Sequence, residues 1–146
     1  MNLRALFDDL VRFETLLWNA VDARLRDETG LPLGSLDVMR IIGATPRCRV
    51  YDIAEGLAIT VGGASQAVDR LEKRGHCARR PNPDDRRSSI VGLTPEGQAL
   101  LETASTVFER ELADFFATPP LRREALDQLA TTLATLRAAA QERSRR

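Results

Sequence analysis

The run Asn82-Pro83-Asp84-Asp85-Arg86-Arg87-Ser88-Ser89-Ile90-Val91-Gly92-Leu93-Thr94-Pro95-Glu96-Gly97 sets an acidic pair ahead of an arginine pair. A short β-prone segment follows, and Thr94-Pro95-Glu96 opens a helix. Proline fixes φ, while Asn and Asp bond to nearby backbone, so Pro81-Asn82-Pro83-Asp84-Asp85 reads as a turn. The order predicts a hairpin, with strands at about 77–80 and 88–93 and arginines at its tip. Pro95 suits the first helical position after the cap Thr94, with Glu96 favourable at that end. A basic hairpin beside a helix pair is a device for gripping DNA, the helix in the major groove and the hairpin in a neighbouring minor groove.

The segment upstream supplies that helix pair. Residues 51–57 place Ile53, Ala54 and Leu57 on one face. Ala58-Ile59 forms the turn, and Thr60 is a good N-cap for a helix over 61–74 that buries Ala64, Ala67, Val68 and Leu71. Gly75 stops it. A shorter helix fits 34–43, with Leu36, Met39, Ile41 and Ile42 inward. Thr45-Pro46 breaks that helix, and 47–50 adds a brief edge strand.

Both ends of the chain read as long amphipathic helices. Leu3, Leu6, Phe7, Leu10, Phe13, Leu17, Val21 and Leu25 recur at steps of three and four from Asn2 to about Thr29, where Gly30 and Pro32 end the helix. Twenty-seven residues make about 40 Å of helix, more than a small domain needs. Past Pro95, Leu100, Leu101, Ala104, Val107, Phe108, Leu112, Phe115 and Phe116 make a second stripe until Thr118-Pro119-Pro120. The last helix, about 121–143, has Leu126, Leu129, Leu133, Leu136 and Ala140 in near-heptad spacing. Isolated, these helices would expose wide apolar stripes, so an obligate homodimer through the terminal helices is expected. The expected fold is mainly α, a winged helix-turn-helix of about six helices plus a two-stranded β wing. Residues 31–94 would form the winged part, and 1–30 with 95–146 the helical dimerisation region.

Composition sets the remaining bounds. The 146 residues are 43% hydrophobic and 29% charged, enough for a core and unlike a disordered chain. Formal net charge is zero, yet it is unevenly spread. Arg70, Lys73, Arg74, Arg79, Arg80, Arg86 and Arg87 face only Glu72, Asp84 and Asp85 within that stretch. No run approaches a membrane span and no secretory leader is evident, so a cytoplasmic protein without membrane contact is expected. Cys48 and Cys77 are too few for a disulfide framework. One histidine and no glycine-rich phosphate loop argue against an enzyme, and Asp84-Asp85 on a hairpin tip lacks the burial that separates the pKa values of a catalytic pair. No metal or cofactor is expected. A winged module that binds protein instead of DNA is the other reading, and it predicts no basic surplus.

Asp52-Ile53-Ala54 with Leu57, Val68-Asp69-Arg70-Leu71-Glu72-Lys73-Arg74-Gly75, Arg79-Arg80, Asp84-Asp85-Arg86-Arg87 and Leu93-Thr94-Pro95-Glu96-Gly97 together resemble the MarR family of winged helix-turn-helix regulators. These five pieces occur in order over about 50–101. The resemblance implies a homodimeric transcription factor, usually a repressor, on a pseudo-palindromic operator and often released by a small-molecule effector or oxidant. It makes the helix from Thr60 to Arg74 the recognition helix. It also makes Asp85 and Arg87 the wing pair, with the carboxylate orienting an arginine inserted in the minor groove.

The candidate DNA-binding residues are Thr60, Gly62, Gly63, Ser65, Gln66, Arg70, Lys73, Asp85, Arg86 and Arg87. Gln66 can bond an adenine edge, and Ser65 can donate and accept. Thr60, Arg70 and Lys73 can reach phosphates, although Arg70 and Lys73 have Asp69 and Glu72 as alternative partners. Gly62-Gly63 departs from the family pattern. Either the missing side chains let the backbone approach DNA, or the first turn is frayed. Arg86 and Arg87 also read as turn residues paired to Asp84 and Asp85. His76 is expected to pack, and a lone histidine does not resemble the family's zinc-sensing members. Arg47 and Arg49 beside Cys48 would lower its thiol pKa, although thiol-sensing relatives mostly carry their cysteine in the first helix. Trp18 and nearby aliphatics either line an effector crevice or belong to the core.

Overall fold

The computed structural model describes residues 1–146 and contains six helices and one two-stranded antiparallel sheet. Helix α1 spans Leu3–Thr29, α2 Leu33–Ala44, α3 Val50–Leu57 and α4 Val61–Lys73. Strands β1 (Cys77–Pro81) and β2 (Ser89–Leu93) follow, then α5 (Pro95–Ala117) and α6 (Arg123–Ser144). No helix is long and apolar enough to cross a membrane. The chain divides into two compact units, Met1–Leu112 and Ala113–Arg146.

Local chemistry sets the boundaries. Asn2 Oδ1 accepts the N–H groups of Arg4 and Ala5 at 3.1 and 3.2 Å, capping α1, and Gly30 ends that helix with φ 70°. Thr60 Oγ1 accepts the Gly63 N–H at 3.0 Å and caps α4. Gly75, at φ 77°, closes α4 while the His76 N–H returns to the Leu71 carbonyl at 2.9 Å. Ala58 adopts φ 53° between α3 and α4, a left-handed geometry that costs a side-chain-bearing residue about 1–2 kcal/mol.

The first unit's core is built from the second half of α1 (Val21, Leu25), from α2 (Leu36, Val38, Met39, Ile42), and from Ile53, Ala64, Val68 and Leu71 of the helix pair. Val91 of β2, Ala104 and Val107 of α5 and the two buried cysteines, Cys48 and Cys77, also belong to it. Ion pairs reinforce the α1–α5 contact: Arg24 Nε lies 3.1 Å from Glu111 Oε2, and Arg110 bonds Glu28.

The edge strand expected at 47–50 does not form. Arg47 sits at φ 53° and Arg49 caps α3, so those backbones turn away from the sheet. Only the Cys48 carbonyl joins it, accepting the Val91 N–H at 2.7 Å.

Candidate nucleic-acid interface

Helix α4 carries three kinds of face. Ala64, Val68 and Leu71 are buried. Ser65, Asp69 and Glu72, at steps of four and three, share a second face that Arg79 of β1 covers. Arg79 Nη2 is 2.7 Å from Asp69 Oδ1 and 3.4 Å from Ser65 Oγ, and Nη1 is 3.2 Å from Glu72 Oε1. The Arg79 backbone N–H also donates to Glu72 Oε2 at 2.9 Å. One guanidinium thus ties the wing's first strand to the side of α4. Gly62, Gln66, Arg70 and Lys73 lie on the third face and are exposed.

This arrangement sorts the predicted residues. Gln66, Arg70 and Lys73 share an open face, and Asp69 and Glu72 turn to Arg79 instead of pairing with those cations. Ser65 is half-buried, with its hydroxyl directed at Arg79. Thr60, Gly62 and Gly63 form the helix entry, and the Thr60 cap keeps that first turn wound.

The wing pairs Cys77 with Leu93 through Pro81 with Ser89. Its tip is organised by short polar side chains. Asn82 is the buried polar residue at the base, donating to Ser88 Oγ at 3.0 Å and accepting the Asp84 N–H at 3.0 Å. Asp85 Oδ1 accepts the Arg87 backbone N–H at 2.9 Å. The carboxylate therefore shapes the turn beneath Arg87 and does not tether its guanidinium. The expected partner for Asp84 is also different: its carboxylate takes Arg47 Nη2 at 2.7 Å. Arg47 further reaches Asn82 Oδ1 at 3.4 Å, a wing anchor that sequence reasoning missed. No local signal marks it, because its position depends on a positive φ at a non-glycine residue. With both aspartates committed elsewhere, Arg86 and Arg87 project without a carboxylate partner.

Neither thiol is activated. Cys48 and Cys77 are buried, and burial pushes both pKa values up to about 11. The Asp52 charge adds to the rise at Cys48, and Arg49 offsets only part of it, so desolvation outweighs the flanking arginines. His76 is half-buried with Nδ1 lacking a partner, while its backbone joins α4 to β1.

A cavity of about 200 Å³ lies between α1, α2 and α5, lined by Leu17, Trp18, Leu33 and Phe108 with the carboxylates of Glu14 and Asp37. Burial raises the Asp37 pKa against the opposing pull of Arg40, whose guanidinium stacks 4.9 Å from the Phe108 ring centre.

The sequence model of the MarR family matches residues 31–89. The HTH-type transcriptional regulator BilQ of Clostridium symbiosum is 32% identical over 79 residues, covering 54% of this chain and 55% of that protein. The chain spans about half the length of the curated relatives it matches. Among solved structures, the transcriptional repressor CouR bound to a 23-mer DNA duplex is 28% identical, with TM-score 0.80 over 93% of this chain and 97% of that one. Sco3205 of Streptomyces coelicolor, solved in complex with DNA, is 25% identical, with TM-score 0.76 over 90% and 88% of the two chains.

Proposed function

We propose that this chain is a MarR-family protein, similar as it is to that family's model over residues 31–89 and to the DNA-bound repressor CouR, and that it is a sequence-specific DNA-binding transcriptional regulator. It acts in the cytoplasm as a homodimeric repressor on a pseudo-palindromic operator. The observation that carries the reading is the pairing of an open α4 face with unpartnered Arg86 and Arg87 on an anchored wing. Base edges fall to Gln66, with Gly62 and Gly63 permitting close approach, while Ser65 is held to Arg79 and leaves that role. Phosphates fall to Thr60, Arg70 and Lys73. Arg87 enters the minor groove from a turn held by Asp85, with Arg86 beside it, because a narrow minor groove concentrates negative potential.

Residues 31–94 present these groups, and 1–30 with 95–146 assemble two copies. Two-fold symmetry then sets the recognition helices about 34 Å apart along the duplex. A small-molecule effector fits the crevice at Trp18 and Phe108, where it would favour a dimer whose helices are wrongly spaced for DNA. The chain works by binding and not as an enzyme: its buried thiols, with pKa values near 11, are poor nucleophiles.

The test is a gel shift with the full chain on its own promoter fragment against random competitor. Arg87→Ala should weaken binding by about 5- to 150-fold for each of the dimer's two wings, the worth of one good groove contact per half-site, with an unchanged thermal melt. Unchanged affinity removes the wing from the account, and no preference for any promoter fragment removes the function.

A further inference from the structure

The exposed face of α4 continues past the residues assigned to DNA. Arg70, Lys73 and Arg74 follow Gln66 at four, seven and eight residues, so all lie along one side of the helix. Their natural counter-charges, Asp69 and Glu72, are drawn to Arg79 on the neighbouring face. No carboxylate lies within ion-pair distance of these three cations. They border a cavity of about 370 Å³ completed by Leu71, by Pro32 just before α2 and by Ser35 in its first turn.

The end of α2 is not itself the attraction. The Leu33 N–H there is already taken by Asp22 Oδ1 at 2.8 Å, and Asp22 is paired with Arg26 at 2.8 Å. What remains is three cationic residues and a serine lining one open space. Cations in a last helical turn also answer the helix dipole, but that role needs neither a cavity nor a hydroxyl from a second helix.

We propose that this cavity is a phosphate seat, in which Arg74 and Ser35 complete the site begun by Arg70 and Lys73. Two arginine forks match the oxygens of a phosphate, and a serine hydroxyl can donate to one more. The assignment rests on the DNA-binding reading for its preferred occupant. From Gln66 to Arg74 the helix rises about 12 Å, comparable to the roughly 12 Å width of the major groove. A helix that sets Gln66 against base edges therefore carries Arg74 towards the flanking backbone. The same chemistry would also receive a free phosphorylated molecule.

Arg74→Ala and Ser35→Glu, in the full chain, separate the sources. In the first arm, anisotropy titrations use promoter and random duplexes between about 50 and 200 mM salt. Loss of one seat per protomer should make the log–log salt slope of the dimer shallower by about two, and weaken both duplexes alike. In the second arm, inorganic phosphate is compared with chloride at matched ionic strength, reading the thermal midpoint. A rise for the wild type that is absent in Arg74→Ala assigns the seat to a free phosphate. A slope change without that rise assigns it to the DNA backbone. Unchanged slopes together with an unchanged midpoint overturn the proposal. If the wild type binds no DNA the function falls, and the second arm still decides the seat.

Discussion

A Cβ placed on Gly97 would collide with the His76 carbonyl, whose carbon lies 2.8 Å from that position. The carbonyl cannot retreat, because it accepts the Thr94 N–H at 3.1 Å. Thr94 in turn donates its hydroxyl to the Gly75 carbonyl and accepts the Gly97 N–H, so the end of α4, the wing and the start of α5 meet at one knot. Gly97→Ala is therefore expected to cost about 3 kcal/mol through overpacking. At this chain length that lowers the thermal midpoint by roughly 6–12 °C. Gly92→Ala, where a Cβ meets nothing within 4 Å, should leave it nearly unchanged in the same melt. The thiols give a pH prediction. Burial raises both from 9.0 to about 11, so the folded state holds the neutral form while the unfolded chain ionises first. Their contribution is intact below pH 9 and is lost as pH climbs towards 11. Urea midpoints should fall across that window in the wild type and fall less in a Cys48→Ala, Cys77→Ala double variant. Rapid labelling of either thiol by a disulfide reagent at pH 7 would contradict the burial argument.

Helix α4 begins with two glycines, each costing roughly 0.5–1 kcal/mol against alanine in a helix. The Thr60 cap holds that turn, and a Cβ at Gly62 meets nothing within 4 Å. Gly62→Ala should thus raise stability by about 0.5–1 kcal/mol. If bare backbone is there to approach DNA, the same variant loses affinity. A stabilised protein with unaltered operator binding would leave the glycines without a part in recognition. Elements of this kind were legible in the sequence because their signals are local. Asn2, Thr60 and Thr94 cap the helices that follow them, and Gly30 and Gly75 adopt left-handed geometry at their ends. The open face with Gln66, Arg70 and Lys73 follows from helical period alone. What stayed hidden depends on partners distant in sequence. The salt bridge from Arg47 to Asp84 crosses 37 positions, and Arg79 reaches 14 positions back to Ser65. Cys48 shows the same limit, since its neighbours in sequence are arginines while its surroundings in space are the core.

At the scale of the whole molecule, the unanswered surface is apolar. In the first unit, α1 contributes Val21 and Leu25 to the core, whereas Leu3, Phe7 and Leu16 remain 65–66% exposed. In the second unit, α6 buries no residue and exposes Leu129, Leu133 and Leu136 at near-heptad spacing. Exposed stripes of this size are unfavourable in water at about 25 cal/mol per Å². A second copy is the occupant consistent with the symmetric operator proposed above. Sedimentation should then give a species of twice the 16.2 kDa chain mass. Phe7→Glu and Leu133→Glu put charges into the stripes without touching α4 or the wing, so each should shift the protein towards single copies. Because a single copy engages one half-site, its operator affinity should fall and its log–log salt slope should halve, as the number of neutralised phosphates halves. The joint change distinguishes a lost partner from a damaged reading surface, for which the slope would drop while the mass stayed double. A wild-type chain that sediments as a single copy, or charged variants that remain paired, would place the dimer contact elsewhere.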